Sequence, residues 1–322
     1  MKDSRGFALL GVMLMVALLT VVILEATFAM RLEAAAGRSF RQNLLASHLA
    51  EAGLQQAIRE MASRAPIQAM NRDGVLVFFH VIPGSSLPRP LHSLARAHVP
   101  LGPGDFSYRI TDEEGRLNLN RASPERVSRL LRSLGLDRPA RDALVDALED
   151  WKDADELHRP NGAESDYYLR LPFPYRARNA PLQDTVELLQ IRGVTHDLYH
   201  GRDGRPGLAE LTTVFGGESV NLNTASPLVL SALGLSDAEI QEALSARVRA
   251  PYTVVPARWT GRGLGVGSGT FRVEAEGRVD GARPARIVAV VGRRPTPVAA
   301  SSPDTLAALG MVLLSWRAGE EP

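Results

Sequence analysis

The chain has 322 residues, a formal net charge of +1 and no cysteine. The near-neutral charge argues against a general electrostatic affinity for nucleic acid, and the lack of cysteine excludes a disulfide framework, a thiol nucleophile and a cysteine-based zinc site. The length suits a membrane anchor with two folded domains, and a hydrophobic content of 45% allows a sizeable core.

A short charged leader and a long apolar run open the chain. The leader, residues 1–6, ends in Gly6, and the 18 residues from Phe7 to Leu24 carry no charge. A helix of about 20 apolar residues spans a bilayer, whereas a signal peptide has an apolar core of about 7–15 residues and then a small-x-small cleavage site. The best such site, Thr27-Phe28-Ala29, is a poor match. The run therefore predicts a membrane span that the chain keeps.

The segment after the apolar run continues the helix. Residues 25–63 contain no proline and are rich in Ala, Leu, Glu, Arg and Gln, which favour helix. Apolar residues recur three and four positions apart, and Pro66 is the first strong stop signal. One helix over residues 7–63 would be roughly 80 Å long at about 1.5 Å per residue. Its C-terminal half is amphipathic, so we expect that half to pack against a folded domain.

Strand patterns lie on both sides of a region of short helices. This order indicates a helical domain inserted into a sheet domain. Strands are predicted at 74–82, 106–111, 270–279, 286–292 and 310–316. The predicted organisation is a leader (1–6), a transmembrane and filament helix (7–63), the first part of a sheet domain (64–117), a helical insert (118–250) and the second part of the sheet domain (251–322).

The leader resembles the class III signal of type IV pilins and type II secretion pseudopilins, in which a charged leader ends in Gly and Phe follows. In that family a prepilin peptidase cuts after the glycine and the new N-terminus is methylated. The resemblance therefore implies processing between Gly6 and Phe7. Most members have Glu at the fifth mature position, where this chain has Gly11. A missing acid at that position is typical of the minor pseudopilin K group.

Three stretches in the middle of the chain resemble the α-helical insert of type II secretion protein K: residues 112–123 (DEEGRLNLNRAS), 146–181 (with WKDADELHRPNGAESDYY) and 186–195 (VELLQIRGVT). The resemblance implies an α+β, pilin-like fold in which the long helix packs on an antiparallel sheet interrupted by the insert. It implies a non-enzymatic minor pseudopilin at the pseudopilus tip, which helps to initiate assembly for protein export across the outer membrane. The anchor would cross the inner membrane once, with the soluble part in the periplasm. The implied partners are minor pseudopilins I and J, the prepilin peptidase, the inner-membrane assembly platform and membrane lipid.

The insert contains an internal repeat. Residues 118–124 are NLNRASP and residues 221–227 are NLNTASP, and each copy precedes a predicted helix that stops at Leu-Gly-Leu. Ser before Pro is typical of an N-cap followed by Pro at the first helical position. The repeat predicts two helix-hairpin-like (SAM-like) subdomains of related fold.

The repeat also supports an alternative function, a DNA-uptake or adhesive type IV pilus minor pilin. Helix-hairpin-helix modules hold a backbone phosphate on a Gly-hydrophobic-Gly turn. The candidate turns begin at Gly135, Gly193 and Gly234, and each lacks the second Gly. The Asp or Ser found there suits an N-cap for the next helix. With the near-neutral net charge, this favours protein contact, and we expect no nucleic acid as a partner.

The acidic loop after Trp151 is the main candidate site. Carboxylates on a turn-rich loop suit Ca²⁺, which takes 6–8 oxygen ligands, although the rest of an EF-hand pattern is absent. The other interpretation is a solvated loop whose side chains cap helices. Calcium sites in the α-domain of protein K homologues, as the resemblance implies, support Ca²⁺ as a cofactor. The predicted ligands are Asp153, Asp155, Glu164 and Asp166.

No catalytic residues are predicted. His196 and His200 stand four apart, but no Glu follows the first as in HExxH, and the chain has no GxSxG element or P-loop. The Gly-rich residues 261–269 favour a connector over a phosphate site. A second acidic cluster, Asp112 to Glu114, is expected to be solvated at a strand end.

Overall fold

The fold is organised around one long N-terminal helix. A computed structural model describes residues 4–63, 65–82, 84–85, 87–91, 94–294, 306 and 309–319. Helix α1, Ser4–Met61, has 58 residues, which is about 87 Å at 1.5 Å per residue. It matches the helix predicted over residues 7–63, and it continues through Gly6. The first three residues of the predicted leader lie outside the described residues.

The remaining elements lie in the order that the sequence patterns indicate, strands before and after a region of short helices. The further α-helices are α2 (Pro124–Ser133), α3 (Arg138–Lys152), α4 (Ser165–Tyr168), α5 (His196–His200), α6 (Leu208–Leu211), α7 (Pro227–Ala232) and α8 (Asp237–Arg249). The strands are β1 (Ile67–Met70), β2 (Leu76–His80), β3 (Arg89–Pro90), β4 (Val99–Leu101), β5 (Gly104–Asp112), β6 (Leu117–Asn118), β7 (Gly201–Arg202), β8 (Arg205–Pro206), β9 (Thr212–Thr213), β10 (Val220–Asn221), β11 (Leu264–Gly265), β12 (Thr270–Val279), β13 (Ala285–Arg293) and β14 (Met311–Ala318).

The main sheet is antiparallel and has the strand order β14-β13-β12-β5-β4. In the centre, Val273 of β12 pairs with Ile110 of β5 on one side and with Ala289 of β13 on the other. The helical region falls in the chain between β5 and β12, so two strands far apart in sequence become neighbours. The predicted strands at 106–111, 270–279, 286–292 and 310–316 are therefore confirmed as strands of one sheet.

The C-terminal half of α1 packs on this sheet. Leu49, Leu54, Ile58 and Met61 are buried in one core with the inward residues of β5, β12 and β13. Helix and sheet lie close together at Gly277, where an added Cβ would lie 2.0 Å from the carbonyl oxygen of Ala46. Only glycine permits this approach. The side chains of residues 9–40 are exposed, apart from the half-buried Thr27.

A smaller sheet, β1-β2-β3, precedes the main one. Strand β1 pairs antiparallel with β2, from Ile67 opposite Phe79 to Met70 opposite Leu76. The sequence patterns predicted only the middle strand of this sheet, at 74–82. The neighbouring strands were missed because one has four residues and the other two, which is too short for a period to be recognised.

The insert has its own hydrophobic core. The two copies of the sequence repeat make equivalent hydrogen bonds in the structure. Asn118 and Asn221 each accept a hydrogen bond at 3.0 Å from the backbone N–H two residues on. Lys152, which ends α3, donates to the Leu119 carbonyl at 2.9 Å, and Arg247 in α8 donates to the Leu222 carbonyl at 3.1 Å. In both copies, therefore, the Asn side chain holds the turn and a basic side chain from a later helix binds the carbonyl of the following Leu. Their SAM-like classification stays a prediction.

The helix caps in the two copies follow the predicted pattern. Ser123 and Ser226 are the N-cap residues of α2 and α7, but only the Ser226 side chain accepts a hydrogen bond, from Val229 N at 3.3 Å. Asp137 and Ser236, which replace the second Gly of the DNA-binding turn, cap α3 and α8 through their side chains. The cap interpretation of these turns is confirmed.

Candidate functional site

A cluster of three carboxylates lies where α3 ends and α4 begins. Asp150 is in the last turn of α3, Asp153 is its C-cap, and Glu164 is the N-cap of α4. Trp151 and Tyr168 hold the two helices together, with ring centroids 5.2 Å apart in an edge-to-face contact. Because these aromatic rings are buried, the polar side chains beside them are fixed in place. One ligand atom from each of the three carboxylates lies within 4.8 Å of the other two.

Glu164 is the least satisfied member of the cluster. Glu164 is 1% exposed, and neither of its carboxylate oxygens has a hydrogen-bond partner among the described residues. Asp153 Oδ1 is likewise buried and unpartnered in the described part of the chain. Burial, together with the nearby charges of Asp150 and Asp153, raises the pKa of Glu164 to about 7. Buried carboxylate oxygens without donors are costly, so this cluster calls for a bound cation or proton.

Arg159 supplies the one cation that touches the cluster among the described residues. Its Nη1 donates to Asp150 Oδ1 at 2.7 Å and also to Asp153 Oδ2. Its backbone N–H lies 3.3 Å from both oxygens of Asp150. These hydrogen bonds, to Asp153 first and Asp150 second, raise the pKa of the Arg159 guanidinium. One arginine therefore neutralises one of three negative charges.

Gly162 brings the backbone against the cluster. A Cβ at this position would lie 1.8 Å from Asp150 Oδ2, so no other residue fits without moving the carboxylate. The Gly162 carbonyl accepts a hydrogen bond from Arg192 Nη1 at 3.1 Å. The close turn at Gly162 thus places Glu164 opposite Asp150 and Asp153. The resulting set of hard oxygen donors fits Ca²⁺ rather than a soft metal.

The cluster lies inside the stretch of the chain that matches a known family. The family described as "Type II secretion system (T2SS), protein K" matches residues 110–201. This match assigns residues 110–201 to the protein K domain of the type II secretion system.

Relatives and one solved structure agree with this assignment. Type II secretion system protein K of Pectobacterium carotovorum subsp. carotovorum is 29% identical, over 74% of this chain and 73% of its own length. Protein K of Pseudomonas aeruginosa is 29% identical, over 72% of this chain and 68% of its own. A chain from the crystal structure of the GspK-GspI-GspJ complex from the enterotoxigenic Escherichia coli type 2 secretion system superposes with a TM-score of 0.63 at 17% identity. That match covers 90% of this chain and 100% of the other, and it confirms the mixed fold with a long N-terminal helix.

Two of the four predicted ligands lie outside the carboxylate cluster. Asp155 is exposed and its Oδ1 accepts a hydrogen bond from Leu157 N at 2.9 Å. Asp166 is also exposed and pairs with His158 at 2.8 Å and with Arg170. The structure therefore brings Asp153 and Glu164 together and leaves Asp155 and Asp166 on the surface. It adds Asp150 to the cluster. The sequence could have indicated this, because Asp150 and Asp153 are three residues apart at a helix end and so lie on one face.

Asp112 and Glu113 of the second acidic cluster are buried and Glu114 is half-buried, which corrects the expectation that the cluster is solvated. Asp112 is 7% exposed and Glu113 0%. Asp112 accepts hydrogen bonds from Asn221, Thr224 and Ser268, and burial is the main cause that raises its pKa. These donors lie more than a hundred residues away in the chain, so no local pattern shows them. The Asp112 network joins the end of β5 to the second copy of the repeat.

Glu113 is held by a different set of groups at the same junction. It pairs with Arg272 at 2.6 Å and Arg116 at 3.3 Å and accepts a hydrogen bond from Thr213. Burial opposes ionisation, but the two arginines and the hydrogen bonds outweigh it and lower the pKa of Glu113. The insert and the sheet are therefore joined by buried polar contacts.

The N-terminal part of α1 is the second part of the molecule that bears on function. It is the one helix among the described residues that is long and apolar enough to cross a membrane, which fits a single-pass anchor. Gly11 lies within it, and an added Cβ would meet no described atom within 4 Å. A larger side chain at this position is therefore tolerated by the monomer. Gly6 and Phe7, the predicted processing site, are part of the same helix.

Proposed function

We propose that this minor pseudopilin is cleaved by prepilin peptidase after Gly6, is methylated on Phe7, and caps the pseudopilus of a type II secretion system. The observation that carries the proposal is the division of α1. Its N-terminal part is apolar and exposed, whereas its C-terminal part is buried against the sheet. A helix built in this way can leave the bilayer and pack in a filament while the folded domain remains outside. The protein would act as an assembly component and not as an enzyme.

Gly11 supports a position at the filament tip. A Glu at the fifth mature position would pair with the methylated N-terminus of a neighbouring subunit in the apolar core, where an unpaired charge is costly. Gly11 offers no such partner, so this subunit has no electrostatic reason to follow another one in the stack. The bulky insert, residues 118–250, would also be difficult to place within the filament wall.

Minor pseudopilins I and J are the proposed partners. The structural neighbour comes from a complex of GspK with GspI and GspJ, and this chain shares its fold. Assembly would start when the three minor pseudopilins meet in the inner membrane, with their soluble domains in the periplasm and the assembly platform beneath them. The pseudopilus would then support export of proteins across the outer membrane.

The carboxylate cluster is the proposed metal centre of the insert. Asp150, Asp153 and Glu164 would hold Ca²⁺, since they present the unpartnered oxygens, and this set replaces Asp155 and Asp166 in the sequence-based prediction. The ion would neutralise the remaining negative charge and tie the end of α3 to the start of α4. The expected result is that Ca²⁺ raises the Tm of the purified chain and that Glu164→Gln abolishes the rise. Unchanged Tm values over a Ca²⁺ series would contradict the metal centre.

The tip position can be tested by restoring the acid. In cells with induced pseudopili, antibody labelling should find the wild-type protein at one end of each filament. Gly11→Glu should spread the label along the shaft and change filament length, because the subunit gains a partner for the next N-terminus. Gly37→Glu is the matched control, since Gly37 lies in the same helix beyond the apolar run and is equally open. Wild-type label along the shaft would refute the tip position.

Deletion of the insert provides a second, independent test. Removing residues 118–248 should abolish the capping role while α1 still enters the membrane. If neither this deletion nor Gly11→Glu alters pseudopilus length or secretion, the tip function is wrong. Salt-dependent binding of the chain to duplex DNA would instead support the DNA-uptake alternative.

A further inference from the structure

Arg159 occupies one side of the carboxylate cluster and leaves the other side free. Its guanidinium binds Oδ1 of Asp150 and Oδ2 of Asp153 through the same nitrogen, Nη1. The second oxygen of Asp153 and both oxygens of Glu164 have no hydrogen-bond partner among the described residues. The arginine and a metal ion would therefore use different oxygens of Asp153, and the Glu164 oxygens would be left to the ion. The arginine does not have to leave when the ion enters.

The charges of the cluster lead to the same conclusion. Three ionised carboxylates carry three negative charges, and Arg159 removes one of them. The remainder is matched by a divalent cation. In a buried site an unmatched charge is costly, so a site with this arginine favours a divalent over a trivalent ion. Without the arginine the preference should move towards a trivalent ion.

We propose that Arg159 is the positioning residue that makes this site specific for a divalent cation, a role that rests on the metal centre proposed above. Its guanidinium holds Oδ1 of Asp150 and Oδ2 of Asp153, leaves Oδ1 of Asp153 and both oxygens of Glu164 for the ion, and sets the net charge of the site. The loop that carries it, between α3 and α4, is itself tied to the cluster by the Arg159 backbone N–H. The residue thus acts through Asp150 and Asp153 and need not touch the ion.

The test compares Ca²⁺ with Tb³⁺, a trivalent ion that also prefers oxygen ligands. The full chain in detergent is titrated with each ion, with Tb³⁺ luminescence sensitised by Trp151 and Ca²⁺ measured by calorimetry. Arg159→Gln should shift the ratio of the Tb³⁺ and Ca²⁺ affinities towards Tb³⁺ by roughly tenfold or more, because one more negative charge acts on an ion of higher charge. Arg170→Gln is the matched control, since Arg170 also pairs with a carboxylate but on the surface; it should leave the ratio unchanged.

Arg159→Lys separates charge from geometry. It keeps the positive charge, so the ratio should stay at the wild-type value, but a single ammonium cannot hold both aspartates as the guanidinium does, so both affinities should fall. This variant also provides the test if Arg159→Gln does not fold. A wild-type chain that binds neither ion would refute the metal centre itself. A wild-type chain that binds both, with an unchanged ratio in Arg159→Gln or unchanged affinities in Arg159→Lys, would refute only the role of Arg159.

Discussion

Replacing Asp112 with alanine should weaken the junction between insert and sheet. The Asp112 carboxylate accepts four hydrogen bonds: from Asn221 Nδ2 at 2.8 Å, from Thr224 Oγ1 and Ser268 Oγ at 2.6 Å each, and from Glu114 N at 2.9 Å. In Asp112→Ala these donors remain buried and lose a common acceptor. The variant therefore measures how strongly the network joins the two parts of the fold.

The expected loss of stability depends on how many of these donors have a second acceptor. Asn221 also donates to the Gln68 carbonyl, and Thr224 to the Asn221 carbonyl. Ser268 Oγ and Glu114 N have no second acceptor among the described residues, and an unsatisfied buried donor costs about 1–3 kcal/mol. Asp112→Ala also removes a carboxylate whose burial is itself unfavourable, as its raised pKa shows. This gain offsets part of the loss from the unsatisfied donors. We expect the free energy of unfolding to fall by about 2–4 kcal/mol.

Urea unfolding of the full chain in detergent, followed by tryptophan fluorescence, measures this change. Trp151 and Trp259 are buried and should report the loss of the insert core. The matched control is Asp142→Ala, which removes an exposed carboxylate 3.5 Å from Arg138 and should cost less than about 0.5 kcal/mol. A loss below about 1 kcal/mol in Asp112→Ala, with an unchanged denaturant slope, would refute the reasoning.

Three further changes test the cluster and the helix–sheet contact. Gly162→Ala should abolish Ca²⁺ binding, because its Cβ would lie 1.8 Å from Asp150 Oδ2; calorimetry measures this. Because the pKa of Glu164 is raised to about 7, the ion must displace a proton at lower pH, so Ca²⁺ affinity should fall about tenfold per unit below pH 7. The metal-free chain should correspondingly lose stability as the pH rises from 4.5, the ordinary pKa of the carboxyl, to about 7, and should change little above that. Gly277→Ala, whose Cβ would lie 2.0 Å from the Ala46 carbonyl, should lower Tm by separating α1 from the sheet.

Each of these predictions has a control. Gly37→Ala adds a methyl to open space on α1 and should leave Tm and Ca²⁺ binding unchanged or raise Tm slightly. Glu164→Gln should remove this dependence of metal-free stability on pH between 4.5 and about 7. Wild-type Ca²⁺ affinity in Gly162→Ala, a pH-independent affinity between pH 5 and about 7, or an unchanged Tm in Gly277→Ala would contradict the corresponding prediction.

The long helices and strands could be predicted from the periodicity of their apolar residues, and the short elements could not. The helix predicted over 7–63 is Ser4–Met61, and the strand predicted over 270–279 has those bounds. Both have many residues in which a period can be recognised. Strand β1 has four residues next to Pro66, and it exists because β2 pairs with it.

The candidate site was predicted in part for a related reason. The acidic loop was visible from its composition, but the side of the loop on which each carboxylate lies depends on the four-residue helix α4 and the turn at Gly162. Asp166 follows Glu164 by two residues and faces His158 on the surface. Burial of Asp112 depends on Asn221 and Ser268, which are distant in sequence. A local sequence pattern cannot show contacts between residues more than a hundred positions apart in the chain.

The mature N-terminus tests the central claim most directly. The claim is that the apolar run is a filament-building helix processed at Gly6, and not a plain membrane anchor. Intact-mass and peptide mass spectrometry of the protein from its native membrane should find N-methylated Phe7 as the first residue. Retention of Met1, or a start near Ala29, would contradict the account.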